Sequence, residues 1–195
     1  GNYVVGSRYW DNGLVDVGAA TWGNGATAGT RLVGQISGAN SLVGSTASDQ
    51  VGAVITPLLS NGNYVVNSFN WSNAGAANAG AATWGNGAGG TVGTVTSLNS
   101  IVGSAANDFV SASGIVALPG GDYVIVSPNW DNVGANSAGA VTWGSGAGGT
   151  VGVISSANSL VGDMAGDSMG SGGYVTVLTN GNYVVNTPWW HTNTG

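Results

Sequence analysis

The sequence predicts an all-β fold in which tandem repeats of about 60 residues each form four strands. The pentapeptide GNYVV at residues 1–5 returns, with small changes, at residues 62–66, 121–125 and 181–185, in steps of 61, 59 and 60 residues. Glycine fills 37 of the 195 positions, and it costs about 1 kcal/mol relative to alanine at an interior helix position. Short β-rich runs bounded by turn residues recur instead. A period of this size indicates units that bury their apolar faces only against their neighbours.

Further residues keep the same period: Trp10, Trp71, Trp130 and Trp190; Trp22, Trp84 and Trp143; Leu42, Ile101 and Leu160; Asp49, Asp108 and Asp167. We therefore predict one continuous array over residues 1–195. Its units cover about 1–48, 49–107 and 108–166, followed by a partial fourth unit at 167–195.

The second unit shows the four predicted strands. They cover residues 51–59, 63–68, 81–84 and 92–102, the last with a break near Leu98-Asn99. Asn61-Gly62, between the first two strands, predicts a type I′ hairpin, because both central residues of that turn need a positive φ. Successive side chains of a strand point to opposite faces, and the second strand carries adjacent valines. We therefore expect that strand to be covered on both sides.

The tryptophans on the period are predicted to pack between units. Trp22, Trp84 and Trp143 each lie in an Ala-x-Thr-Trp-Gly segment, where an indole supplies a large contact area to the neighbouring sheet. We expect the same role for Trp10, Trp71 and Trp130. The adjacent pair Trp189 and Trp190 in the last strand fragment is a candidate contact with another subunit.

The order of segments in one unit resembles a known family. In the second unit these segments are DQVG at 49–52, LLSNGNYVVNS at 58–68 and GAATW at 80–84, and the third unit adds VSP at 126–128 and GAV at 139–141. This order resembles the FG-GAP blade of integrin-α-type β-propellers and, more loosely, the Gly/Asn-rich tandem repeats of large secreted bacterial adhesins. The resemblance implies propeller-like blades. FG-GAP blades often carry an Asp-rich calcium loop between the first two strands. Only short turns stand there in this chain, so we expect no calcium at that point.

A β-solenoid with coils of about 20 residues is the alternative fold, because Tyr3, Trp22, Leu42 and Tyr64 are spaced 19, 20 and 22 residues apart. The repeated hairpin turn favours the propeller-like blade, since solenoid coils are parallel and need no hairpin.

Charge excludes several classes of partner. Charged residues make up 5% of the chain, and the formal net charge is −6, with Arg8 and Arg31 the only basic residues besides one histidine. Nucleic-acid binding needs clustered Lys or Arg to displace counterions, so no nucleic-acid partner is expected. No apolar run approaches the length of about 20 residues that spans a bilayer, so no membrane insertion is expected. The absence of cysteine excludes disulfides and thiolate metal sites.

The residues needed for catalysis are scarce. His191 is the only histidine, and Lys and Cys are absent, so the ordinary pairs of nucleophile and base are missing. Asp49, Asp108 and Asp167 precede the first strand of each unit, where an Asx turn that caps the strand explains them better than a shared ion. We therefore expect no enzyme activity, no cofactor and no metal.

These observations favour an extracellular or cell-surface structural protein. We expect it to assemble head-to-tail with copies of itself into a filament, or to form part of the shaft of a large bacterial adhesin, because strand edges left unpaired at both ends recruit further strands. The composition, which is rich in Gly, Asn, Ser and Thr, is associated with exported surface proteins. A glycan-binding or cell-adhesion propeller module is the alternative, with exposed tryptophans stacking on sugars.

Overall fold

The computed structural model describes residues 1–25, 33–58, 60–173 and 175–191. Within these ranges the chain is all-β, as the sequence predicts, with no α-helix and with one short 3-10 turn at Ser171–Gly173. Its strands are β1 (Tyr3–Ser7), β2 (Ala19–Gly23), β3 (Leu42–Val43), β4 (Val54–Pro57), β5 (Tyr64–Ser68), β6 (Ala81–Gly85), β7 (Gly93–Thr94), β8 (Ser100–Val102), β9 (Ile115–Ala117), β10 (Tyr123–Ser127), β11 (Ala140–Gly144), β12 (Gly152–Val153), β13 (Leu160–Val161), β14 (Val175–Val177) and β15 (Tyr183–Val185).

Each unit forms its own small antiparallel sheet. In the second unit β4, β5, β6 and β8 lie side by side in chain order, and in the third unit β9, β10, β11 and β13 do the same. The first unit contributes β1, β2 and β3, and the fourth contributes β14 and β15. The predicted tandem array of four-stranded repeats is therefore confirmed. The end of the predicted first strand, at Leu59, lies outside the described residues.

The predicted fourth strand, residues 92–102, is interrupted between Thr94 and Ser100, in agreement with the break expected near Leu98-Asn99. It forms two strands that join different sheets: β8 pairs with β6 of its own unit, whereas β7 pairs in parallel with β3 of the preceding unit. β12 of the third unit joins β8 in the same way. The Asn99 side chain explains the break, because it accepts the Thr96 N–H at 2.9 Å and donates to the Thr94 carbonyl at 2.9 Å. This Asx-type turn redirects the chain between the two strands.

The predicted hairpin between the first two strands is present, but its type I′ turn is wrong. Of the two central residues of each turn, only the second has a positive φ, at Gly62, Gly121 and Gly181. In the third unit the Gly121 N–H donates to the Leu118 carbonyl at 2.9 Å, and the Leu118 N–H donates to the Asp122 carbonyl at 2.8 Å. This is the three-residue connection in which a type I turn is followed by a left-handed glycine.

Parallel pairing among the described residues joins neighbouring units. Besides β3–β7 and β8–β12, single parallel bridges link Gly18 to Val51, Gly80 to Val110 and Gly139 to Met169. The parallel contacts that a solenoid would show within every coil therefore occur only at the boundaries of antiparallel blades.

The apolar core lies between the units. Of the three clusters of buried apolar side chains, the first combines Ala20 and Leu42 with residues of the second unit, and the second combines Val65 and Ile101 with residues of the third. The third cluster joins residues of β10 and β11 to β14, β15 and Met169. Successive side chains of β5 enter different clusters, with Tyr64 and Val66 in one and Val65 in the other. The predicted two-sided burial of this strand is confirmed.

Candidate functional site at the junction between units

One indole at each internal junction reaches forward to the next unit. Trp22 on β2 donates its indole N–H to the Gly87 carbonyl at 3.0 Å, and Trp84 on β6 donates to the Gly146 carbonyl at 3.0 Å. Both acceptors lie in the glycine-rich turn after the third strand of the following unit. Gly149 in this turn lies so close to Trp84 that an added β-carbon would come within 2.7 Å of the tryptophan Cβ. The turn is therefore glycine-rich because it packs directly on an aromatic side chain.

A second set of indoles reaches back to the preceding unit. Trp71 lies in the cluster that joins the first two units, and Trp130 lies in the cluster that joins the second and third. Each is only 4% exposed, and neither indole N–H has a partner, so these two side chains contribute contact area and no hydrogen bond. Trp10, at the same position of the first unit, is half-buried.

The tryptophans at the end of the array are exposed. Trp143 occupies the position of Trp22 and Trp84 but is 45% exposed, and no described residue accepts its N–H. Trp189 and Trp190 are 64% and 46% exposed. Among the described residues no glycine-rich turn packs against Trp143, and its exposure follows from this.

The periodic aspartates form hydrogen bonds at the same junctions. The buried Asp49 carboxylate accepts the N–H groups of Ser45 and Thr46 with Oδ2 and that of Ser72 with Oδ1, at 2.8–2.9 Å. Asp108 makes the same three contacts one unit later, with Ser104, Ala105 and Asp131. Each carboxylate thus accepts N–H groups from the end of one unit and from a loop of the next. The predicted Asx turn that caps the following strand is wrong, because the local donors lie three and four residues before each aspartate.

Asp167 repeats this arrangement with an additional partner. Its carboxylate accepts N–H groups from Asp163 and Met164, and its Oδ1 accepts the His191 N–H at 3.0 Å, with the His191 Nδ1 also at 3.0 Å. Burial alone would raise the pKa of Asp167, but the donors from His191, Met164 and Asp163 outweigh it and lower the pKa to about 2. His191 therefore contacts Asp167 at the last junction through its backbone N–H and its ring, with its side chain 54% exposed.

A buried polar contact distinguishes one junction from the others. Between the second and third units the Ser111 hydroxyl donates to Asn67 Oδ1 at 2.5 Å, and Asn67 Nδ2 donates to the Ser111 carbonyl at 2.9 Å. The same two positions are Gly6 with Gly52 at the first junction and Val126 with Gly170 at the third. A β-carbon at Gly170 would come within 2.7 Å of Val126 Cγ1, so the larger valine requires the glycine. Each junction therefore has its own complementary pair.

Among the described ranges, no group of three or more His or Asp side chains is close enough to hold a metal ion. In the same ranges no helix has the length and apolar character needed to cross a membrane.

A comparison with protein families finds the same periodicity. A family described as "Repeat of unknown function (DUF5650)" matches residues 1–53, 58–112, 117–171 and 177–195. The chain belongs to this family. The match establishes DUF5650 repeats of about 55 residues and does not identify them as FG-GAP or adhesin blades. A comparison with curated proteins finds no match.

A groove lies beside Trp22 and beside Trp143, at equivalent places of the DUF5650 repeat, and its volume differs between the two. Between the first two units it is about 250 Å³, with Trp22 and Tyr64 in its walls and Gly87 of the next turn closing it. At the end of the array, between Trp143 and Tyr183, it opens to about 1000 Å³. Gly87 lines the smaller groove, whereas no glycine of a turn after a third strand lines the larger one.

The sequence analysis did not predict two kinds of buried polar pair in the DUF5650 repeat, one between units and one within a unit. It overlooked the Asn67–Ser111 pair, although comparing the units position by position reveals the matched changes. It also overlooked a buried hydroxyl pair, Thr83 with Ser100 at 2.6 Å, which recurs in the neighbouring units. The repeated Thr and Ser were visible in the sequence, but no spacing rule places them opposite each other.

Proposed function

We propose that this chain is an extracellular structural repeat protein that extends by stacking one unit on the next, as a self-assembling filament subunit or as part of the shaft of a larger surface protein. The observation that carries the proposal is the position of the core, because every apolar cluster combines side chains of two units. A unit of this kind is stable only against a neighbour, which is the logic of a linear array. The partner of such an array is another copy of itself.

Exposed apolar side chains in the first unit and in residues 143–190 support this proposal. Tyr3 and Val5 on β1 are nearly half-exposed, whereas the equivalent residues of β5 and β10 are buried. Trp143, Trp189 and Trp190 are also exposed. Apolar faces and open strand edges favour contact with another chain. With charged residues at 5% of the chain, little electrostatic repulsion opposes that contact.

The proposed setting is the cell surface or the extracellular medium, and the proposed kind of protein is an adhesin-like one. The antiparallel blades of four strands agree with the resemblance to FG-GAP repeats. The lack of cysteine and the high content of Gly and Asn agree with an exported repeat protein. In this setting the chain has a mechanical role, and no catalytic step is assigned to it.

Sedimentation velocity over a wide range of protein concentration tests the proposal, with negative-stain microscopy of the same samples. We expect the weight-average mass to rise with concentration and elongated particles to appear. Added salt should change this little, because the contact surfaces are apolar. A chain that stays monomeric up to the highest soluble concentration would contradict self-assembly.

A glycan-binding module is a second candidate, favoured by the exposed Trp189 and Trp190 and by the groove beside Trp143. Indole faces stack on the apolar faces of sugars, and such binding changes indole emission. Titration with neutral oligosaccharides, followed by tryptophan fluorescence, tests this role. Emission that stays unchanged across a panel of sugars would remove its support.

A further inference from the structure

The three junctions between units share most of their contacts. A tryptophan donates to a glycine carbonyl of the next unit at 3.0 Å at both the first and the second junction. A buried aspartate that accepts an N–H across the boundary, and a single parallel bridge, recur at all three. Contacts that recur in this way stabilise one unit against any other unit, so they do not determine which unit follows which.

Two pairs of positions differ from one junction to the next. In each pair one residue lies in or just after the second strand of a unit, and its partner lies near the start of the next unit. We call them the junction pairs: Gly6 with Gly52 and Arg8 with Gln50 at the first junction, Asn67 with Ser111 and Phe69 with Phe109 at the second, and Val126 with Gly170 and Pro128 with Ser168 at the third. The periodic residues make the units alike, and the junction pairs make them different.

The first junction requires two glycines and a hydrogen-bonded arginine. A β-carbon on Gly6 would come within 2.5 Å of the Gly52 carbonyl oxygen, so the asparagine or valine of the other junctions does not fit here. Beside these glycines Arg8 Nη2 donates to Gln50 Oε1 at 2.8 Å, and the same oxygen accepts Asn70 Nδ2 at 2.9 Å. Phenylalanine in place of Gln50, as at the second junction, would leave the guanidinium without this acceptor.

The second junction requires a polar pair. The Ser111 hydroxyl donates to Asn67 Oδ1 at 2.5 Å, and Asn67 Nδ2 donates to the Ser111 carbonyl at 2.9 Å. Both side chains are buried. A glycine in place of Ser111, as at the other two junctions, would leave Asn67 Oδ1 buried without this donor, which costs free energy.

The third junction requires apolar volume against a glycine. A β-carbon on Gly170 would come within 2.7 Å of Val126 Cγ1 and 2.9 Å of Val141 Cγ2. The position of Val141 is Ala82 in the second unit. A serine in place of Gly170, as at the second junction, would therefore collide with two valines. Each junction thus accepts its own pair and is mismatched with the partner residue of another junction.

We infer that the junction pairs determine the order in which the units stack, because they fit the correct neighbour and penalise every other unit of the same chain or of a second copy. Tandem repeats are prone to stack on a wrong neighbour, since their units are alike. A mismatch that costs free energy at the wrong contact supplies selectivity that shared contacts do not. The inference concerns junctions within one chain, so it goes beyond the proposed self-assembly and holds whether or not copies associate.

A transplanted pair tests the selectivity at equilibrium. In the wild-type chain Gly170→Ser should raise the equilibrium constant for unfolding roughly 10- to 100-fold, because the serine collides with Val126 and Val141. In the Val126→Asn/Val141→Ala chain the same substitution recreates the pair of the second junction, and the rise should be at least about 5-fold smaller. Urea denaturation followed by circular dichroism measures both. An equal rise in the two chains would overturn the inference.

Refolding tests whether the pairs select the neighbour. The Asn67→Val/Ser111→Gly variant gives the second junction the pair of the third, so that the second unit fits two successors. We expect a slow refolding phase with an amplitude several-fold larger than in the wild-type chain, because stacking on the wrong unit must be undone. Dilution from urea, followed by tryptophan fluorescence, measures it at a concentration where sedimentation shows the folded chain to be monomeric.

The matched control exchanges the two pairs instead of duplicating one. Adding Val126→Asn, Val141→Ala and Gly170→Ser to that variant moves the pair of the second junction to the third, so the two junctions differ again. This chain should refold without the enlarged slow phase, although it carries more substitutions. Circular dichroism verifies that both variants are folded, and the wild-type chain is the reference if the exchanged one is not.

Equal slow phases in the duplicated chain and its reference would show that the pairs stabilise without selecting, and would overturn the inference. A wild-type chain that stays monomeric at every concentration would count against the proposed self-assembly alone, because the refolding comparison is made on monomers.

Discussion

The indole N–H of Trp84 donates to the carbonyl oxygen of Gly146 at 3.0 Å, across 62 residues of sequence and across the boundary between two units. Trp22 and Gly87 repeat this contact one unit earlier at the same distance. In each case the side chain that ends the third strand of one unit is completed by the turn after the third strand of the next. The contact between neighbouring units is therefore what stabilises this chain.

Removal of the indole donor should weaken an internal junction. Trp84→Phe leaves an aromatic ring but removes the hydrogen bond to Gly146 and part of the packed volume, so we expect a loss of about 1–3 kcal/mol in the free energy of unfolding. Urea denaturation followed by circular dichroism measures it. Trp143→Phe is the matched control, because Trp143 ends the same strand but is exposed and should change stability by less than about 0.5 kcal/mol in the monomer. Equal losses in the two variants would refute the role of the junction.

Gly80 and Gly75 separate two kinds of backbone constraint. Both have a positive φ, at 78° and 96°, but a β-carbon at Gly80 would overlap the backbone of Val110, while at Gly75 nothing lies within 4 Å. Gly75→Ala should therefore cost only about 1 kcal/mol of left-handed strain, whereas Gly80→Ala should cost more than about 3 kcal/mol, because it pushes two units apart. Thermal unfolding of both variants gives the comparison. Similar costs would mean that the parallel bridge to Val110 contributes little.

The Asn67–Ser111 pair should behave as a coupled unit. Ser111 has a positive φ of 72°, and the other junctions have glycine at this position. Its strain is offset by the buried hydrogen bond to Asn67. Asn67→Val should destabilise the chain by about 1–3 kcal/mol, because the Ser111 carbonyl loses its side-chain donor and the Ser111 hydroxyl keeps only the longer contact to the Ala81 carbonyl, at 3.2 Å.

Adding Ser111→Gly to Asn67→Val recreates the Val126–Gly170 pair of the third junction and should recover much of that loss. A double-mutant cycle measured by urea denaturation should give a coupling energy of about 1–2 kcal/mol. Additive effects of the two substitutions would show that the residues are independent.

The pKa values of two equivalent aspartates, Asp167 and Asp108, should be shifted in opposite directions. The pKa of Asp167 is lowered from 3.8 to about 2, because four donors outweigh its burial, while burial raises the pKa of Asp108 above 3.8 despite its hydrogen bonds to backbone N–H groups. The contribution of Asp167 to stability is therefore present above about pH 4 and is lost as the pH falls toward 2. The contribution of Asp108 has the reverse sign, since its protonated form is favoured in the folded chain.

Carboxyl ¹³C chemical shifts measured against pH test this difference. The resonance of Asp167 should have its midpoint near pH 2, and that of Asp108 should lie above 3.8. The His191→Ala variant provides the control, because it removes one of the donors to Asp167 and should raise the midpoint of that residue alone. An Asp167 midpoint at or above 3.8 in the wild-type chain would contradict the proposed junction.

The sequence predicts the parts of the fold that depend on local chemistry. The period, the antiparallel order of the strands, the two-sided burial of β5 and the hairpins between first and second strands all follow from patterning and turn residues. The route of β7 does not follow, because a two-residue strand carries too little pattern to show which sheet it joins. The turn type was missed for a related reason, since Asn-Gly and Gly-Gly permit positive φ at both residues without requiring it.

The sequence predicts which residues pack at the junctions, but it does not predict which neighbouring unit each of them contacts. The period marks Trp71 and Trp84 equally, yet Trp71 packs on the preceding unit and Trp84 on the following one. Both residues recur with the repeat, so their spacing along the chain does not show which neighbouring unit each one contacts. Asp108 was read as a local cap, and only the three-dimensional contact with Asp131 shows that it also ties two units together.

The free energy of unfolding of one excised unit tests the central claim most directly, because the apolar core of this chain lies between units. The second unit, residues 49–107, is compared in urea with a two-unit fragment, residues 49–166, and with the whole chain. We predict no cooperative transition for the single unit and a cooperative transition for the two-unit fragment, since only the latter contains a complete cluster. A single unit that unfolds cooperatively with the stability of the whole chain would contradict the account.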